Sequence, residues 1–227
     1  MDRATVRRNP GRCCDAVLSW LIEVQTATRS SSASDGDSLS ARIDRDLRDV
    51  GEALPNDESG VIPRARELVE PLRRGPIPRV LEHGDLSHPN LLIDRQGRVS
   101  VIDWELAEIR GIPAVDLFFF LAYVARARWN SRSARDESEA VREAFFGKAR
   151  WARPYLDRYA EALGLSKELI PSVWVFAWLG QTAGRIRRAA EAEGQSRISA
   201  KEADAVRGDW RFLVWREAVE RGIGFEW

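Results

Sequence analysis

The segment from His83 to Glu105, HGDLSHPNLLIDRQGRVSVIDWE, narrows what this chain can be more than any other stretch. Asp85, Asn90 and Asp103, with His83 and His88, stand among short apolar runs of strand-like composition. Leu91–Ile93 and Val99–Ile102 are expected to form a hairpin turning at Gln96 and Gly97, with Gly97 suited to a positive φ. Antiparallel pairing about that turn sets Leu92 opposite Val101, Leu91 opposite Ile102 and Asn90 opposite Asp103. Gln-Gly is a weaker turn signal than Asn-Gly, so a slip of one residue stays open.

Carboxylate and amide oxygens in this order suit phosphoryl transfer. That reaction needs a carboxylate to orient the proton of an attacking hydroxyl, and oxygen ligands to hold Mg²⁺ against nucleotide phosphates. Kinase-like enzymes put the base Asp and a metal-binding Asn on one loop with four residues between them, and bring a second metal-binding Asp from a nearby strand end. Asp85 and Asn90 have that spacing. A zinc site built on His83, His88 and the neighbouring acids fits less well, because Asp and Asn oxygens are the ligands Mg²⁺ prefers.

HGDLSHPNLLI, then VIDWE, then GIPAVDL resembles the aminoglycoside phosphotransferase family, relatives of choline kinases and eukaryotic-type protein kinases. The resemblance is specific over residues 79–121 and only compositional elsewhere. It implies an α+β, predominantly α fold: a protein-kinase-like C-terminal lobe in which one short β-hairpin carries the catalytic loop and the metal-binding Asp. It further implies Asp85 as catalytic base, Asn90 and Asp103 as Mg²⁺ ligands, Leu92 and Ile102 as the apolar floor under the adenine of ATP, and His83 as a brace of the loop. Asp116 resembles the family's buried aspartate, which hydrogen-bonds the catalytic loop from a following helix. Ser87 stands where the family often has His, with His88 after it, and Trp104 and Glu105 stand where protein kinases carry Phe and Gly. His88, beside Pro89, either touches substrate or only shapes the loop. The implied partners are a small hydroxyl-bearing acceptor and a nucleotide-binding lobe supplied separately.

Such a kinase carries, ahead of its catalytic loop, a strand-rich lobe with a glycine-rich phosphate cover and a strand lysine. No lysine precedes Lys148, and Gly11, Gly36, Gly51, Gly60 and Gly75 form no glycine-rich loop. The expectation is a single lobe over 1–227, with a helical lead-in 1–78, catalytic and metal loops 79–117 and a helical subdomain 118–227, the nucleotide lobe being absent and the enzyme truncated. A lobe-only binding module without turnover, or half of a split kinase, are the competing readings.

The 35 basic and 35 acidic side chains cancel, leaving no global field to attract nucleic acid or anionic membranes. The apolar runs Leu117–Ala125 and Ile170–Gly180 are shorter than a membrane span and read as buried helices. Cys13 and Cys14 are the only cysteines, which excludes a disulfide framework and fits a cytoplasmic setting. No signal peptide is legible at the start.

Helical spacing is expected over 13–29, with Val17, Leu18, Trp20, Leu21 and Val24 on the apolar face and Glu23, Gln25 and Arg29 on the other. Residues 30–38 and 55–60 read as loops. Between them Leu39, Ile43, Leu47, Val50 and Leu54 mark an amphipathic helix ended by Pro55, and Pro63 suits the first turn of a further short helix, which Pro71 limits. A short strand at 79–81 feeds the loop. Helices are then expected from 116 to 129, 134 to 147, 150 to 163 with Gly164 as C-cap, 167 to 193, and after a capping box of Ser199 and Glu202. Arg185, Arg187 and Arg188 read as a solvated helix face rather than a phosphate clamp, and the tryptophans mostly as core. Glu137, Glu139 and Glu143 lie where the family often meets a cationic acceptor. A solvent-exposed acidic helix with Arg132, Arg135 and Arg142 interleaved explains them equally well.

Overall fold

A computed structural model describes residues 3–30, 36–54, 60–94, 96–129, 132–195 and 197–222. In chain order these form α1 (Arg3–Arg8), α2 (Pro10–Ala27), α3 (Gly36–Ala53), α4 (Val61–Val69), α5 (Pro71–Arg74), β1 (Val80–Glu82), a 3-10 turn (His88–Asn90), β2 (Leu91–Ile93), β3 (Val99–Val101) and β4 (Glu108–Gly111). There follow α6 (Val115–Trp129), α7 (Ala134–Phe145), α8 (Arg153–Leu163), a second 3-10 turn (Lys167–Leu169), α9 (Ile170–Ala192), α10 (Ala200–Arg207) and α11 (Trp210–Arg221). The fold is α+β and predominantly helical. Most of the loops expected at 30–38 and 55–60, and Pro55, lie outside the described residues, as does the His88 side chain.

Two compact units emerge, and each draws on separate stretches of chain: residues 1–32 with 77–167, and 33–76 with 168–227. In the first, α6 is the centre. Its residues from Val115 to Ala125 are all buried, as an element apolar on every side must be. α1, α2 and α7 pack on it, and α8 packs on α2. Ser133 and Asp136 close a full capping box at the start of α7, and Gly164, at φ +61°, ends α8 in the left-handed conformation that the last turn requires. The acids of α7 are neither free nor simply solvated: Glu137 pairs with Arg126, and Glu139 and Glu143 both pair with Arg142.

The sheet content exceeds the single hairpin expected. β2 and β3 pair antiparallel, and a second two-stranded ladder joins β1 to β4 through a bulge between Val80 and Glu82. β4 escapes notice in the sequence because it is only four residues long, with a single large apolar side chain, Ile109, which is exposed.

In the second unit α9 is central, with α3, α4, α5, α10 and α11 around it. Leu39, Ile43, Leu47, Val50 and Leu54 are all buried, as their spacing requires. Trp174, Trp178 and Trp210 stack edge to face at 5.5 and 5.2 Å between centroids, the geometry that aromatic quadrupoles favour. Arg187 is part-exposed but not simply solvated. It reaches Asp46 at 2.8 Å and Asp49 at 2.6 Å, and Asp46 is buried, so this guanidinium neutralises a core carboxylate. The expected last helix is two, because α10 ends at Gly208 and Asp209 caps α11 anew. Ser199 accepts from the Glu202 N–H, but its own N–H donates to Glu193, so the capping box is only half formed.

Among the described residues no helix is long and apolar enough to cross a membrane. Burial, reinforced by the neighbouring Cys13 and Asp15, pushes the Cys14 thiol up to about 12. A raised folded-state value means that the unfolded thiol, ionising near ~8.5, gives up its proton first. Stability is therefore complete below that pH and drains as pH rises towards 12, by up to about 1.4 kcal/mol per pH unit. Urea midpoints taken from pH 8 to 11 should fall, and Cys14→Ala should flatten the decline. Equal slopes would mean that the thiol ionises freely in the folded chain.

Candidate functional site

The site is built in the first unit on the loop between β1 and β2. β1 is fixed along both edges: the Ser30 and Arg79 backbones exchange two hydrogen bonds, Thr28 Oγ1 accepts from the Leu81 N–H, and β4 pairs on the other side. The buried Glu82 carboxylate accepts from the Ile112 N–H at 3.0 Å, and Gly111 lies so close to it that a Cβ there would fall 2.1 Å from the Glu82 Cβ. The loop therefore leaves a rigid strand end.

Asp116, in the first turn of α6 and buried, accepts from two successive loop amides, His83 N–H at 2.7 Å and Gly84 N–H at 3.0 Å. A carboxylate in the core is tolerable only with such donors. His83 is buried as well. Its Nδ1 accepts from the Asp85 N–H at 3.3 Å while Nε2 lies 3.0 Å from the Ile102 carbonyl, which assigns the ring proton to Nε2. The imidazole thus links the loop to the end of β3, and the Trp104 indole packs against it at 4.7 Å.

Asp85 and Asn90 meet. The Asn90 amide donates to the Asp85 carbonyl at 3.0 Å and to its carboxylate at 3.2 Å, closing the loop on itself. Ser87 N–H to the Asp85 carbonyl, at 2.8 Å, completes the tight turn.

The hairpin register differs by one residue from that expected. Leu91 pairs with Val101, Leu92 with Ser100 and Ile93 with Val99, and the Ile102 N–H reaches the Asn90 carbonyl at 3.0 Å. The cause is the turn: the Asp94 N–H donates to the Arg98 carbonyl at 3.1 Å, so the ladder closes on these two residues and not in the register of a two-residue turn. The Gly97 N–H donates to Asp94, and Gly97 sits at φ +87°, the left-handed position of a G1 bulge. Asn90 is therefore opposite Ile102, not Asp103. Two consequences follow. Leu92 and Ile102 fall on one face, where the expected register would have split them, and they are 49% and 48% exposed. Asp103 leaves the ladder and adopts φ +67°, an uncommon conformation for a residue with a side chain and one that marks a functional constraint more often than chance.

Those oxygens suit a hard cation. Among the described residues the Asp103 carboxylate, the Asn90 amide oxygen and one Asp85 carboxylate oxygen make no hydrogen bond. Carboxylate and amide oxygens are the chemistry that a hard cation such as Mg²⁺ prefers. No cluster of three His, Cys, Asp or Glu side chains is found among the described residues, and the candidate set holds only two, its third oxygen coming from an amide.

Two contributors escape a reading of the sequence. Gln25 is fully buried, not on the polar face of its helix, and donates to the Leu81 carbonyl at 2.9 Å and to Asp116 at 3.4 Å; Tyr159 donates to Gln25 and accepts from the Ala114 N–H at 2.9 Å. The available signal was positional: Leu18, Leu21 and Gln25 follow one another at helical spacing, so a polar residue occupies the apolar stripe.

No curated protein and no solved structure matches the chain at a significant level. The profile of the phosphotransferase enzyme family matches residues 9–169, a span that contains α2, the whole loop and hairpin, and α6 to α8. With well over half of its length matched, the chain belongs to the phosphotransferase enzyme family, APH.

Proposed function

We propose that this chain is the metal- and acceptor-binding lobe of a small-molecule kinase that moves the γ-phosphoryl of ATP to a hydroxyl of a small polar acceptor. The observation that carries the reading is the Asp85–Asn90 contact, with Asp103 at positive φ one residue beyond the Asn90 pairing and unspent oxygens on all three. Asp85 orients the acceptor hydroxyl and takes its proton as the phosphoryl leaves ATP. Asn90 holds Asp85 in place through its amide nitrogen and offers its oxygen, with the Asp103 carboxylate, to Mg²⁺. When bound, that ion neutralises charge on the transferring group. Leu92 and Ile102, half-exposed on one face of the hairpin, would form the apolar floor under adenine.

ATP in such an enzyme is held between two lobes, and the glycine-loop amides, the lysine and the ceiling over adenine come from a strand-rich lobe outside these 227 residues. The missing lysine also favours a rival reading, a lobe that binds without turnover. Thermal melting in millimolar Mg·ATP, alone and with a separately expressed strand-rich lobe, separates them. A competent site at a hundredfold excess over Kd would add about 2.7 kcal/mol. The chain alone should show almost no shift and no transfer to a panel of aminoglycosides and small alcohols. Adding the lobe should give both, with Asp103→Ala abolishing the shift and Asp85→Asn abolishing transfer only. A stabilisation of the lone chain that vanishes in Asp103→Ala would remove the need for a second lobe. Absence of transfer in every combination would establish the non-catalytic reading.

A further inference from the structure

The interior of the first unit contains a polar chain that no hydrophobic core requires. The Ala114 N–H donates to the Tyr159 hydroxyl at 2.9 Å, and that hydroxyl donates to Gln25 Oε1. Gln25 Nε2 donates to the Leu81 carbonyl at 2.9 Å and to Asp116 Oδ2 at 3.4 Å, while Asp116 holds the His83 and Gly84 amides. Every direction is forced. The hydroxyl accepts from a backbone N–H, so its own hydrogen must go to Gln25, and the Gln25 nitrogen faces two groups that can only accept. Burial pushes the Tyr159 hydroxyl far above its ordinary range, so it remains a donor at any working pH.

The two ends of this chain of bonds carry its meaning. At one end Ala114, a buried residue at φ +70°, sits just before α6 and fixes where that helix begins, and so where Asp116 projects. At the other end are the backbone positions 81, 83 and 84, directly before Asp85. Gln25 on α2 and Tyr159 on α8 thus touch both the helix that supplies the Asp116 carboxylate and the strand end that feeds the loop. An apolar pair would fill the same space; a hydrogen-bonded pair selects one orientation of the carboxylate.

We propose that Gln25 and Tyr159 are positioning residues of the site: acting through Asp116, they set the path of residues 81–85 and hold Asp85 against Asn90. This rests on the reading of the Asp85 loop as the catalytic loop, but its test does not use catalysis. Without Tyr159 Oη, the Ala114 N–H and Gln25 Oε1 lose their partners, the glutamine amide is free to turn, and the carboxylate that clamps two loop amides loses its third donor.

The test is amide exchange and ¹H–¹⁵N spectra of the full chain for wild type, Tyr159→Phe, Gln25→Met and a control, Val141→Ala, which trims a buried apolar side chain on α7. The expected result is exchange at His83 and Gly84 that quickens by about tenfold more than exchange at Phe119–Leu121 of α6 in both polar-chain variants. The side-chain amide signal of Asn90, which reports its bond to Asp85, should move as well. Val141→Ala should lower protection evenly and leave the Asn90 signal in place. An even loss in Tyr159→Phe and Gln25→Met, with Asn90 unmoved, would reduce both residues to general scaffold and overturn the proposal. Should Gln25→Met not fold, Tyr159→Phe carries the test alone, since it removes a single oxygen. Global unfolding of that variant also overturns it. Nothing in the measurement needs nucleotide or metal, so failure of phosphoryl transfer would refute the function above and leave this result standing.

Discussion

Asp116→Ala is expected to destabilise the chain by about 3–5 kcal/mol, the largest loss of any polar substitution in the first unit. The carboxylate is buried and accepts from the His83 and Gly84 N–H groups and from Gln25. Truncation leaves the two backbone donors with no acceptor and takes from the Gln25 amide one of its two acceptors, the Leu81 carbonyl being the other. A buried donor left unpaired costs about 1–3 kcal/mol, and relief of the desolvation of the carboxylate recovers only part of the sum. Domains of this size are stable by only about 5–15 kcal/mol, so much of the margin would vanish. Asp116→Asn should be nearly as damaging. An amide offers one oxygen where two are used, and its NH₂ would face an N–H donor. Urea unfolding measures both. A loss under about 1 kcal/mol would mean that the two loop amides reach water and that Asp116 is no clamp.

What could be read in the sequence was local. Asp85 and Asn90 lie five positions apart on one loop, so the pair is within reach of a reading of the sequence, and the two side chains meet. The helices were legible for the same reason: the run from Leu39 to Leu54 repeats its apolar residues every three or four positions, and all of them are buried. The register of the hairpin was not legible, because Gln96-Gly97 is compatible with either a two- or a three-residue connection, and only the bond from the Gly97 N–H to Asp94 decides. Gln25 was assigned to the wrong face because polarity alone assigned it. Its partners Asp116 and Tyr159 are 91 and 134 residues away, and no periodicity reports a contact at that range. The pairing of Arg187 with Asp46, 141 residues distant, is beyond the reach of periodicity for the same reason.

Gly84→Ala should cost about 2–5 kcal/mol, from two sources that can be separated. Gly84 adopts φ +82°, where an L residue bears about 1–2 kcal/mol of strain. A Cβ at this position would also fall 2.5 Å from the Leu106 carbonyl oxygen and 3.1 Å from the Leu106 Cβ. Backbone oxygen cannot rotate aside, so either the loop or the turn at 104–107, closed by the Ala107 N–H on the Trp104 carbonyl, must shift. Both borders of the site are affected, since Asp85 follows Gly84 and Asp103 precedes that turn. Gly97→Ala supplies the comparison. Gly97 has nearly the same angle, φ +87°, but the nearest atom to its Cβ would be a guanidinium nitrogen of Arg12 at 4.0 Å, the mobile end of a side chain. It should therefore show the strain without the clash, and Gly84→Ala should exceed it by about 1–3 kcal/mol in denaturation midpoints. Equal losses would show that residues 104–107 yield freely. The close approach of loop and turn would then be an incidental contact, and Asp103 would owe its place to its own strained backbone rather than to the packing beneath it.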